Sequence, residues 1–153
     1  MQEFTKKTRS EIERAKEEIK AGRICIALIR DEQTIYTTQG RGVKPLLDLL
    51  DHEPSLLKES IIVDKIVGRA AAFLMILGGA KSVYALTMSL GAQAEFKKAG
   101  IKNNAEALTD VIVNRTGDGS CPMEKAVQDI SDPQEAPAVL KEAIAELRSS
   151  LKR

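Results

Sequence analysis

The stretch Ser60–Ile101, SIIVDKIVGRAAAFLMILGGAKSVYALTMSLGAQAEFKKAGI, decides the fold. It reads as strand, buried helix, glycine break, strand, helix. Ile61, Ile62 and Val63 form a short apolar run suited to an interior strand. Asp64 is a good helix N-cap, and the helix it is expected to open runs to about Leu77, where Gly78-Gly79 stops it. From Ile66 to Leu77 that helix is apolar almost all round, which predicts a central helix covered on several sides. Its only charges after the cap are Lys65 and Arg69, four residues apart in the first turns. SVYALTM (82–88) is the next strand, and Ser89 caps a helix, LGAQAEFKKA, that Gly100 closes.

Upstream, residues 3–20 predict a charged surface helix whose thin apolar stripe is Phe4, Ile12, Ala15 and Ile19. ICIALIR (24–30) reads as a buried strand, turning at Asp31-Glu32 into the half-polar QTIYTT to make a hairpin. Val43–Leu50 reads as a short helix with Pro45 in its first turn, and DHEPSLLKES returns to the central strand. Downstream, residues 101–105 suggest a short strand, ALTDVIV a helix, and NRTGDGS a loop. Cys121-Pro122-Met123-Glu124 opens a further helix, since proline in the first turn and glutamate near the start are both start signals. A last amphipathic helix (134–151) shows Leu140, Ile144, Leu147 and Leu151 on one face.

The totals fit one α/β domain over 1–153. At 153 residues the chain can bury a substantial core unaided. Its net charge of +1 argues against a nucleic-acid partner, and no apolar run is long enough to cross a bilayer. The polar N-terminus has no signal-like apolar segment, and two cysteines are too few for a disulfide framework. A reduced, cytoplasmic protein is the expectation.

The order strand, strand, helix, strand, buried helix, strand, helix resembles the cytidine deaminase-like fold. In detail the chain is similar to an uncharacterised family of small proteins of that fold that lacks the zinc site. The residues carrying the likeness are Gly42–Leu47 (GVKPLL), Asp64-Lys65 with Gly68, Ser89, and Asn114-Arg115 followed by Cys121–Glu124 (CPME). It covers residues 24–133 and leaves the terminal helices 3–20 and 134–151 outside. It implies a three-layer α/β/α domain with a mixed sheet. A zinc deaminase needs a His or Cys ligand with a catalytic Glu at the start of the central helix, then a cysteine pair opening the next. Here those places read Val67-Gly68-Arg69-Ala70 and Ser89 with Ala92, and His52 is the single histidine. No metal and no cofactor are expected.

Three groups could carry chemistry. Cations at a helix N-terminus oppose its dipole, and a sequence that tolerates Lys65 and Arg69 there implies a nearby anion, either a carboxylate such as Asp64 or a bound ligand. Cys121, as a cap, would direct its sulfur at the positive end of its helix, with Arg115 adding charge and Asp118 and Glu124 opposing; it reads either as a reactive thiol or as an inert cap. Asn114-Arg115 could clamp a carboxylate or phosphate, or tie its own loop together. Cys25 belongs to the core. The leading expectation is a binding site for a small anionic metabolite or nucleotide. Asp64, Lys65, Gly68, Arg69 and Ser89 form it, with Asn114, Arg115, Cys121 and Glu124 closing over it. The rivals are a cysteine-dependent enzyme acting through Cys121 (sulfur or acyl transfer, or redox) and a non-catalytic interaction module, a homodimer through its terminal helices.

Overall fold

A computed structural model describes residues 4–112 and 121–151. The chain first forms α1 (Lys6–Lys20), then the hairpin β1 (Ile26–Arg30) and β2 (Gln33–Thr38), and the helices α2 (Lys44–His52) and α3 (Pro54–Leu57). There follow β3 (Ile61–Val67), α4 (Arg69–Leu77), β4 (Ser82–Ser89), α5 (Leu90–Ala99) and β5 (Lys102–Thr109). α6 (Pro122–Ala126), a 3-10 turn at Pro133–Glu135 and α7 (Ala136–Leu151) complete the described elements. The five strands make one mixed sheet in the order β2-β1-β3-β4-β5. β1 is antiparallel to both its neighbours, whereas β3, β4 and β5 run parallel. Parallel neighbours need crossovers, which is what α4 and α5 supply.

Alternation along the strands divides the core in two. Ala27, Ile29, Ile61 and Val63 meet Ile12, Ala15 and Ile19 of α1 on one face. Ile26, Leu28, Ile62, Val83 and Ala85 meet α2, α4 and α5 on the other, with Val127, Ile130 and Leu140 packed in behind. α4 is the central rod its sequence predicts: Ala70 through Met75 are all buried. Thr5 caps α1 through its hydroxyl, and Gly100 ends α5 at φ 71°, a left-handed turn that suits glycine.

Two expectations about the elements are corrected. Asp64 does not cap a helix: β3 continues through it to Val67, and α4 starts at Arg69 after Gly68. Pairing explains the difference, because Asp64, Ile66 and Val67 keep in register with Ala85, Thr87 and Met88 of β4. The second correction is β5, which runs to Thr109, where ALTDVIV suggests a helix. Ala105, Ala107, Leu108 and Thr109 each take a place beside β4, and the ladder overrides the helical preference of an Ala-Glu-Ala-Leu run. The predicted helix from residue 134 begins two residues later, after the 3-10 turn, and α3 is an unforeseen turn of helix in the surface connection.

Candidate functional site

The carboxyl ends of β3, β4 and β5 are the place where open α/β sheets receive ligands. At this end the start of α4 is already occupied. Glu124 of α6 reaches across to it, one carboxylate oxygen accepting from the Arg69 N–H at 2.7 Å and the other from the Ala70 N–H at 2.8 Å. These are N–H groups that a helix leaves without partners at its first turn. Arg69 reciprocates. Its Nε donates to Glu95 of α5 at 2.9 Å, and its terminal nitrogens donate to the carbonyls of Val127 (2.7 Å), Gln128 (3.1 Å) and Ile130. The guanidinium also lies 4.8 Å from the centre of the Phe73 ring. The anion that this helix start calls for is therefore the protein's own Glu124, and the cation beside it is held by Glu95 and backbone carbonyls.

Gly68 makes this possible. A Cβ at that position would stand 2.5 Å from the nearer Glu124 oxygen, so only glycine lets the carboxylate close on the helix. Glu124→Ala is expected to cost about 1–2 kcal/mol of stability, as for a lost cap, and Gly68→Ala a similar amount by displacing the carboxylate. In the Glu124→Ala background, Gly68→Ala should then cost almost nothing, leaving a coupling of about 1 kcal/mol. Urea denaturation of the four proteins measures it; additive losses would mean that the two residues act separately.

Beside this network lies a cleft of about 230 Å³, lined among the described residues by Ser89, Asp110, Val111, Ile112, Glu124, Lys125 and Gln128. Ser89 is buried and caps α5, its hydroxyl accepting from the Ala92 N–H at 3.0 Å. Of the residues singled out from sequence, the cleft brings together Ser89 and Glu124. Lys65 is exposed on β3, before α4 begins. It shares no helix turn with Arg69. Asp64 is buried in the sheet, where its carboxylate oxygen accepts from the Lys65 N–H at 2.7 Å. Burial pushes its pKa up to about 8, against the opposing effect of the Lys65 and Ile66 N–H groups. Cys121 precedes α6, half-buried and with no side-chain capping bond, and is not among the described lining residues. Asn114 and Arg115 lie outside the described residues. Cys25 is half-buried at the edge of the main core.

A family model described as TM1506, domain of unknown function (DUF1893), matches residues 14–144. The chain belongs to the DUF1893 family. The crystal structure of a DUF1893 family protein, TM1506, from Thermotoga maritima is similar to it, with a TM-score of 0.77 and 19% identity over 94% of this chain and 92% of that one. At that identity the likeness concerns the fold alone. No curated protein is a significant match. For this DUF1893 chain the sequence missed Glu95, the acid that holds Arg69. The available signal was a glutamate on the inward face of α5, one residue before the core phenylalanine Phe96. Asp110 and Gln128 carried no signal, since each enters the cleft only through the path of the backbone around it.

Proposed function

We propose that this DUF1893 protein is a small-molecule-binding domain whose site is the cleft at the carboxyl ends of the parallel strands, and that its architecture is cytidine deaminase-like. The second part is supported by the element order β1, β2, α2, β3, α4, β4, α5 and by the mixed sheet. The observation that carries the first is the set of groups lining the cleft. Glu124 keeps lone pairs free beyond the two backbone bonds, Asp110 adds a second carboxylate, Gln128 an amide, and Ser89 an O–H not used in capping. Two carboxylates stand against one lysine, Lys125, among the described lining residues. That balance disfavours the anionic ligand expected from Lys65 and Arg69, whose guanidinium is committed elsewhere. It favours a neutral or cationic molecule rich in N–H or O–H donors, with an apolar edge for Val111 and Ile112. The volume is below the ~300–1,000 Å³ usual for drug-sized ligands, so only a small molecule or one end of a larger one is buried.

Thermal-shift titration of the full chain with nucleosides, primary amines and amides, against phosphate and simple carboxylates, tests this. Donor-bearing neutral or cationic compounds are expected to raise the midpoint by mass action, and the exposed-side variant Asp110→Asn/Gln128→Ala to weaken them at least tenfold. Stabilisation by anions alone, or an undiminished shift in the double variant, would overturn the reading.

A further inference from the structure

β5 forms one edge of the sheet. The opposite edge, β2, is the shorter of the two and pairs with β1 through an irregular register at Leu28/Ile29, a common protection against edge-to-edge association. β5 has neither device. It pairs with β4 from Lys102 to Thr109 without a register shift, contains no proline or glycine, and exposes Asn104, Glu106, Ala107 and Leu108. Among the described residues no strand pairs with its outer side.

The charges on this strand are self-complementary in one register. When two copies of a strand pair antiparallel about a twofold axis normal to the sheet, every side chain keeps its own face. The pairing is then centred on a residue facing its own copy. A centre on Asn104 sets Lys102 opposite Glu106 of the other copy, twice. Centres on Lys102 or Glu106 set like charges opposite each other, a centre on Leu108 sets Glu106 against Asp110, and centres on the odd-numbered residues set each charge against a neutral one. Opposite charges directly across a pair stabilise it, and like charges destabilise it. Glu106 already meets Lys20 at 3.1 Å, so Lys102, Asn104 and Glu106 lie on the α1 face, where a second lysine would extend an existing ion pair.

We propose that the outer edge of β5 is a homodimer interface. It joins two sheets into one through an antiparallel β5–β5 pair centred on Asn104 and held by reciprocal Lys102–Glu106 ion pairs. Sedimentation of the full chain over a range of concentrations is expected to show a dimer. Lys102→Glu and Glu106→Lys should each raise the dimer dissociation constant roughly tenfold or more, and the charge-swapped K102E/E106K chain should restore it. Circular dichroism checks that each variant folds. Independently of the charge variants, Asn104→Cys in a Cys25→Ser/Cys121→Ser background is expected to cross-link quantitatively under diamide, because directly opposed Cβ atoms stand roughly 4.5–5.5 Å apart. Leu108→Cys in the same background should not cross-link. A monomeric wild type, a dimer indifferent to either charge reversal, a swap that fails to restore it, or cross-linking at 108 but not 104 would each overturn the proposal.

Discussion

Asp64→Asn is expected to make the protein more stable than wild type at pH 9, by roughly 3–5 kcal/mol, and to leave it nearly unchanged at pH 4. The carboxyl is buried beside Ile26 and Ala85, and its native pKa is raised to about 8 from an ordinary 3.8. Between those values the folded protein keeps a proton that the unfolded chain has released. Stability due to this group is therefore complete below about pH 4, falls as the pH rises, and is lost once the pH passes about 8. Asparagine has no such titration, and its amide oxygen can still accept the Lys65 N–H. Urea unfolding of both proteins at pH 4, 6 and 9 gives the difference directly, other titrating groups cancelling between them. Equal stability of the two proteins at every pH would show that Asp64 does not titrate in this way.

The second large effect is expected at Arg69. Arg69→Ala removes the partner of Glu95, whose side chain is only 8% exposed, and takes donors from three backbone carbonyls that tie the segment after α6 to α4. Breaking a buried ion pair from one side costs about 3–5 kcal/mol, and Lys98, 3.4 Å from the other Glu95 oxygen, offsets part of it. A fall in thermal midpoint of roughly 10 °C follows for a chain of this size. Arg69→Lys is expected to recover less than half, because one ammonium cannot reach acceptors spread over α5 and the segment after α6. A loss below about 1 kcal/mol would mean that the network adds little to its neighbours' packing.

The strongest apolar patterns in the sequence survive folding intact. The all-round apolar character of residues 70–75 predicts the central rod, Ile12, Ala15 and Ile19 predict the buried stripe of α1, and Gly100 and Ser89 mark their helix ends. What local pattern misreads is the boundary at Asp64. Aspartate is a favoured helix cap, and nothing within a few residues tells that this one lies between two strands in the sheet. Ile66 and Val67, β-branched and followed by Gly68, were the contrary signal. Misplacing that boundary put Lys65 and Arg69 on one helix turn. With the helix beginning at Arg69, the two cations part company, and the charge left there finds Glu124 from far along the chain. The expectation that a carboxylate answers that helix start had the right chemistry and the wrong residue. Glu95 and Glu124 meet Arg69 only through tertiary contact, so no window of sequence around position 69 contains them.

The α1 layer has a consequence for how the molecule is made. α1 is synthesised before any of the strands it covers, and its docking surface is complete only when Ile61 and Val63 take their places in the sheet. Until then Ile12, Ala15 and Ile19 have nothing to bury against, and the nascent helix depends on its own flanks, where Arg14–Glu11 and Lys16–Glu13 link successive turns in water. Contacts this distant in sequence form late, so the α1 side of the sheet is among the last surfaces to be covered as the chain folds.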